Sequence, residues 1–316
     1  MTRASDRLAA LTMAGAEWMG MNLPRRAGIA VSRTFLRAMY RRSEPQRTTV
    51  ASNLARVLGS AVDSPLVQRA TRDAFDLYAR YWYETFALRT MSVDEVNRRF
   101  SITGLEHIES AVAARTGAVM ALPHMGNWDA AGHWLAVNGY RMTAVAEELK
   151  PKAVFDLFYR HRRALGMDIV PLSEGRRVGE LLAGVLADNR ILTLLADRNL
   201  SGRGVDVEMF GAARKMPSGP ATLSLMTGAP LMPCTVFTTA EGWHTHIDPP
   251  LQIERTDDLR ADVGAATRFV ARCFERYISA APADWHMFQP AWGGAEPPPP
   301  SGAPSSDTLA GAVSSP

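Results

Sequence analysis

The hydrophobic pattern changes character about a third of the way along the chain. Over the first hundred residues apolar positions recur at helical spacing. The clearest case is 66–88, where Phe75, Tyr78, Trp82 and Phe86 form one stripe that reads as core packing. Beyond residue 100, short apolar runs alternate with helical patterns. Residues 118–122, 140–147, 167–172, 191–196 and 231–237 read as strands, and 128–135, 177–187, 218–227 and 262–280 as helices. This alternation predicts an α/β fold: a central mixed, mainly parallel sheet flanked by helices, behind a helical N-terminal region. Residues 293–316 are Gly, Pro, Ser and Ala with little apolar bulk, the composition of a disordered tail. The expected organisation is one domain over 1–292, helical to residue 100 and α/β over 101–292, then the tail.

Between the 118–122 strand and the 128–135 helix lies Pro123-His124-Met125-Gly126-Asn127-Trp128-Asp129. Asn127 is a candidate N-cap and Gly139 a candidate C-terminal stop. The spacing sets a histidine in a strand-to-helix turn and an aspartate in the first helical turn, where the carboxylate can fold back to the imidazole. A carboxylate that accepts one ring N–H fixes the tautomer and leaves the other nitrogen as a base for a hydroxyl. Spacing alone fits equally well a histidine closing a turn and an aspartate favoured at a helix start. Asp197 competes to orient His124, since both fall beyond the carboxyl ends of strands, where ligands gather in such sheets. A loop acid paired with Arg198 is the plainer reading of Asp197. Backbone N–H groups from Met125 to Asn127 are candidate oxyanion donors, and Gly126 would let a ligand approach the backbone.

Composition narrows the classes. With 316 residues, 47% of them hydrophobic, the chain can bury one large core. Two cysteines, Cys234 and Cys273, give no disulfide framework and suggest a reducing compartment; Cys234 sits in an apolar run and reads as core. No apolar run is long enough to span a membrane, because Glu17 and Arg25-Arg26 interrupt the N-terminal candidate, and no signal peptide is evident. Residues 1–60 carry ten arginines and three acids, a balance of +7 against +3 for the whole chain, so the remainder is −4. Arg26, Arg33, Arg37 and Arg41 recur at helical spacing, away from Val31, Phe35, Leu36 and Met39. Such a basic amphipathic helix suits an anionic membrane surface, and the first hundred residues are expected to face it from the cytoplasmic side. No base-reading motif accompanies it, so nucleic acid is not expected as a partner. His244 and His246 share a strand face without a third ligand, and no metal is expected. Arg198, and Arg214-Lys215 ahead of a helix start at Ser218, are candidates to hold phosphate; Glu147 and Glu148 are candidates for sugar hydroxyls.

The run from Leu122 to Asp129 closely resembles the catalytic motif of the lysophospholipid-acyltransferase superfamily. The matching branch contains the lipid A late acyltransferases and the actinobacterial phosphatidylinositol mannoside acyltransferases. Asn53-Leu54-Ala55-Arg56-Val57-Leu58-Gly59, Phe210-Gly211 with Met216-Pro217-Ser218-Gly219-Pro220-Ala221, and Gly228-Ala229-Pro230-Leu231-Met232-Pro233 agree with it. Asp284-Trp285-His286-Met287-Phe288-Gln289-Pro290-Ala291-Trp292 resembles the mannoside branch in particular, and the likeness spans about residues 5 to 293. The resemblance implies a glycerol-phosphate acyltransferase-like fold and a peripheral O-acyltransferase; the sequence does not fix its oligomeric state, and a monomer is the expectation. Its reaction would move a palmitoyl group from acyl-coenzyme A, with no further cofactor, to the 6-position of a mannose in a phosphatidylinositol mannoside, with His124 as general base. It also implies an acid on a second loop paired with the histidine, often glutamate; Asp197, one methylene shorter, is the nearest match. Arg162, in Tyr159-Arg160-His161-Arg162-Arg163, matches an arginine of the family's active-site groove. Two rival readings are a lipid A-type enzyme using acyl carrier protein and a lipid-binding protein without catalysis. The lack of an N-terminal span and the 285–292 stretch weigh against the first; the intact His124/Asp129 pair weighs against the second.

Overall fold

The computed structural model of the protein describes residues 3–148, 150–172, 178–199 and 202–293. Four helices open the chain: α1 (Arg3–Asn22), α2 (Arg25–Arg42), α3 (Glu44–Leu58) and α4 (Pro65–Ala87). The start of α4 follows from its sequence: the Ser64 hydroxyl accepts the Val67 N–H at 3.3 Å, and Pro65 takes the first turn, where its missing N–H costs nothing. This helix is the spine of the N-terminal region, and its aromatic stripe is packing. Phe75 and Phe86 are fully buried, Tyr78 stacks on Phe288 at 4.3 Å, and Trp82 meets Phe158 at 5.7 Å.

Next come α5 (Val93–Arg99), β1 (Phe100–Thr103), α6 (Leu105–Ala113), β2 (Ala118–Leu122), α7 (Trp128–Val137) and β3 (Met142–Glu147). They are followed by α8 (Lys152–Ala164), β4 (Asp168–Leu172), α9 (Val178–Ala187) and β5 (Ile191–Leu195). A hairpin of β6 (Val205–Met209) and β7 (Ala212–Met216) precedes α10 (Gly219–Thr227), β8 (Leu231–Thr238), β9 (Trp243–Ile247) and α11 (Leu259–Ala280). Seven strands form one sheet in the order β1-β9-β8-β2-β5-β3-β4, in which only the β8–β9 pairing is antiparallel. The predicted mixed, mainly parallel sheet is therefore what forms. At its centre β2 is buried on both faces, which explains its unbroken apolar run. Val119 and Ala121 join the cluster with Leu186, Val270 and Phe274, while Ala118, Met120 and Leu122 join the one with Ile108 and Leu135.

Some elements depart from the expected pattern. The 177–187 helix begins at Val178, Arg177 lying outside the described residues, as do residues 200–201 of the expected turn and the tail from 294 onward. β1, α6, α8 and the β6–β7 hairpin were not anticipated. The hairpin turns at Phe210 and Gly211, both left-handed at φ 51° and 68°, the geometry of a two-residue turn matched to strand twist. The basic helix is α2, but not all of its charge is free: Arg37 grips Asp76 through two bonds of 2.9 and 2.5 Å. Leu36 is buried, whereas Phe35 is 59% exposed, and Val31 on α2 and Leu8, Leu11 and Trp18 on α1 are exposed too. Among the described residues no helix is long and apolar enough to cross a membrane.

After α11 comes a strap, residues 284–292, that runs over the carboxyl edge of the sheet and docks on α3. Asn53 holds it: its amide donates to the carbonyls of Met287 and Gln289 at 3.0 and 2.9 Å and accepts the Ala291 N–H at 3.1 Å. Asn53 is itself buried, so its loss would leave main-chain groups without partners. Asn53→Ala should lower the unfolding free energy by about 2–4 kcal/mol in urea titration, and a value near wild type would contradict this anchoring role.

Candidate active site

Strand register brings the two candidate residues together. β2 and β5 pair in parallel with Leu122 opposite Leu195. Two residues beyond Leu122 is His124, and two beyond Leu195 is Asp197, so adjacent strands deliver both to the same point past their carboxyl ends. His124 Nδ1 lies 2.5 Å from Asp197 Oδ1, and the His124 backbone N–H donates to Oδ2 at 3.1 Å. The indole N–H of Trp285 donates to the same Oδ2 at 2.9 Å, and Arg214 donates to the Asp197 carbonyl. Asp197 is 0% exposed. Burial alone would push its carboxyl up; the facing His124 charge and the hydrogen bonds from the His124 ring, Trp285 and the His124 N–H overcome it and hold the group down at about 2. Asp197 is thus ionised at neutral pH, and its bond to Nδ1 leaves Nε2 as the nitrogen without a protein partner among the described residues.

Asp129 does not reach His124. From the first turn of α7 it points toward α4 and α8, where Arg162 grips it with Nε at 2.6 Å and a terminal nitrogen at 3.2 Å, and Tyr81 donates its hydroxyl at 3.2 Å. The expected fold-back is thereby corrected. An ion pair with an always-charged guanidinium satisfies this buried carboxylate, and the turn carries it away from the imidazole. Arg162, expected at a substrate phosphate, is the partner of Asp129. Asn127 caps α7 as expected, its Oδ1 accepting the Ala130 N–H at 3.0 Å; its Nδ2 is buried without a partner.

The turn itself is clamped by the strap. Met125 and Trp285 form an antiparallel bridge, the His286 N–H donates to the His124 carbonyl at 2.7 Å, and the His286 ring meets the Gly126 carbonyl at 3.0 Å. Burial pushes the His286 imidazole down to about 3, so the ring is neutral in this role. The clamp corrects two expectations. The Met125 and Gly126 N–H groups, expected as oxyanion donors, are occupied by the carbonyls of Pro123 and Asp284 at 2.8 and 3.1 Å. Gly126, at φ 56°, is close-packed not by a ligand but by β8: a Cβ there would sit 2.2 Å from the Val236 carbonyl oxygen. Tyr81 and His286 carry no signal in sequence spacing. Trp285 lay in the stretch of family likeness, but its bond to Asp197 was not foreseen.

The other candidates gather on the β5 side. Arg198 donates to Gln289 at 2.8 Å and lies 3.9 Å from Glu147 at the end of β3. With Arg214, Lys215 and Trp292 it lines a cleft of about 250 Å³. Lys215 pairs across the hairpin with Asp206 at 2.7 Å, and Ser218 precedes α10 without capping it through its side chain. Elsewhere, His244 bonds Ser101 at 2.8 Å and His246 pairs with Asp248 at 3.1 Å, which accounts for both as strand positions. Cys234 and Cys273 are buried free thiols, Cys273 pushed up to about 11 by burial.

Comparison with known proteins adds to this geometry. Residues 6–293 match the family model described as bacterial lipid A biosynthesis acyltransferase. A protein of Mycobacterium tuberculosis (strain CDC 1551 / Oshkosh) is 41% identical over 284 residues, covering 88% of this chain and 86% of its own. One from strain ATCC 25618 / H37Rv is 40% identical over the same length, and one of Mycolicibacterium smegmatis is 42% identical over 242 residues, 76% of this chain and 77% of its own. All three carry the name phosphatidylinositol mannoside acyltransferase.

The depressed Asp197 carboxyl has a signature in stability. Its folded value of about 2 lies below the ordinary ~3.9 of an unfolded chain, so its contribution is present above pH ~4 and is lost as pH falls through about 2. Urea unfolding between pH 5 and 2 should show wild type losing about 2 kcal/mol from this group, a loss absent in Asp197→Asn. Identical pH slopes in the two proteins would contradict the assignment.

Proposed function

Because the chain belongs to the bacterial lipid A biosynthesis acyltransferase family, we propose that it acylates phosphatidylinositol mannosides, moving a palmitoyl group from acyl-coenzyme A to the 6-hydroxyl of a mannose. The names of the three relatives support the acceptor class. The observation that carries the chemistry is the 2.5 Å contact between His124 and an ionised, buried Asp197. With Nδ1–H held by Asp197, Nε2 takes the hydroxyl proton as the mannose oxygen attacks the thioester carbonyl. The C–O bond forms and a tetrahedral oxyanion collapses with cleavage of the C–S bond. The imidazolium, stabilised by Asp197, then returns its proton to the departing thiolate. Direct transfer of this kind needs no acyl-enzyme.

Two further features support a lipid reaction. A small apolar cavity of about 40 Å³ under α7, lined by Met120, Leu122, Trp128, Val236 and Ile247, gives the site an apolar wall. Its Trp128 wall meets the His124 ring edge-on at 5.4 Å, so apolar surface adjoins the imidazole. The exposed Leu8, Leu11, Trp18 and Phe35, with the arginines of α2 other than the Asp76-paired Arg37, suit peripheral contact with an anionic cytoplasmic membrane face. We assign Arg198 and Lys215 to substrate phosphate, Glu147 to sugar hydroxyls, the unpartnered Asn127 amide to polar substrate atoms and Ser218, at the start of α10, to substrate binding.

The test is coenzyme A release from palmitoyl-coenzyme A, with and without phosphatidylinositol monomannoside, with mass analysis of the lipid. Acceptor-dependent release with one added palmitoyl is expected. Turnover confined to acyl carrier protein thioesters would favour the lipid A-type reading, and vesicle binding without any transfer a binding protein. His124→Ala and Asp197→Asn should each lower kcat by about 10²–10⁴-fold with the fold intact, and full activity in a folded His124→Ala would end the proposal.

A further inference from the structure

One strand over from His124, at the same edge of the sheet, the turn after β8 borders a second basic cleft. It holds about 290 Å³ between α2, α4 and that turn, and Arg25, Arg26, Arg33 and Arg80 line it beside Ile29 and Ala240. Four guanidinium groups meet there around very little negative charge. Glu84 is buried and shared: Arg80 Nε reaches it at 2.7 Å, Arg25 at 3.1 Å and the Trp243 indole N–H at 3.1 Å. Glu241 stands 3.9 Å from Arg25 with its side chain 90% exposed, where water screens it. The terminal nitrogens of Arg80 go to neutral carbonyls, Thr239 at 2.5 Å and Gly242 at 3.1 Å. Arg26 and Arg33 make no ion pair among the described residues, and the Nε groups of Arg25 and Arg33 are buried without partners. The first turn of α2, which starts at Arg25, holds no acidic side chain, so its dipole adds to the same sign. Like charges gathered in a partly desolvated recess repel one another and leave donors unmet, unless an anion completes the set.

We propose that this cleft is a phosphate-binding site that takes a phosphate monoester or diester through paired guanidinium contacts. It is separate from the cleft of Arg198, Arg214 and Lys215, which lies on the β5 side of His124; this one lies on the β8 side. Flanking basic clefts suit a reaction whose two partners both carry phosphate. That naming of the sources rests on the proposed acyl transfer, but the anion site itself does not. Arg26 and Arg33 are the groups to test, because Arg25 and Arg80 also hold buried Glu84.

The experiment titrates the full chain with coenzyme A, and separately with phosphatidylcholine vesicles with or without phosphatidylinositol, reading binding rather than turnover. The Arg26→Gln/Arg33→Gln double variant should melt like wild type and bind one of these ligands about tenfold more weakly or worse. Arg37→Gln, on the same helix but paired with Asp76, should change affinity by about twofold or less. Weakening confined to phosphatidylinositol vesicles assigns the cleft to a lipid phosphodiester; weakening confined to coenzyme A assigns it to the thioester donor. Unchanged affinity for both ligands in the double variant overturns the proposal. So does equal weakening by Arg37→Gln, which would mean diffuse surface attraction.

Discussion

Complete burial of a carboxylate costs several kcal/mol unless its oxygens are met, and the carboxyl edge of this sheet is built around meeting those of Asp197. The donors come from separate parts of the chain: the His124 ring and backbone from the turn after β2, the Trp285 indole from the C-terminal strap, and Arg214, on the main-chain carbonyl, from the hairpin. One buried charge thereby ties the ends of two central strands to β7 and the strap. The clamp on Gly126, the bridge at Met125 and the anchoring of the strap by Asn53 all serve to hold those donors in register.

The contrast with Asp129 sorts the two acids of the site. Both are buried and both have a cationic or titratable partner. Arg162 is charged at any accessible pH, so the Asp129 pair is a fixed support linking α4, α7 and α8. His124 can gain and lose a proton beside Asp197, which suits that pair to chemistry. Basic clefts on either side of it, and a small apolar cavity behind Trp128, set polar and apolar surfaces around one imidazole.

Much of this was legible in the residues. The apolar run at 118–122 marked the central strand because a strand covered on both faces must be apolar throughout, the nearly continuous run at 191–196 marked its neighbour, and the same placement put His124 and Asp197 at the carboxyl edge of the sheet. Asn127 declared itself as a cap through its residue type. What stayed hidden depended on long-range pairing. Spacing within the turn cannot say that Asp129 faces Arg162, because α8 arrives from 33 positions downstream. The hairpin was masked by Phe210 in a left-handed position that more often holds Asn, Asp or Gly. β1 is only four residues long, too short for alternation to stand out. Trp285 is buried as a core residue would be, yet its N–H has a polar duty no pattern reveals.

The central claim is that Asp197, and not Asp129, fixes the His124 tautomer. Nitrogen-15 NMR of histidine-labelled protein tests it directly. The account predicts that the neutral His124 ring carries its proton on Nδ1 and is bare at Nε2, with a downfield Nδ1 proton that survives Asp129→Asn and disappears in Asp197→Asn. A ring protonated at Nε2, or a Nδ1 proton lost in Asp129→Asn and kept in Asp197→Asn, would contradict it.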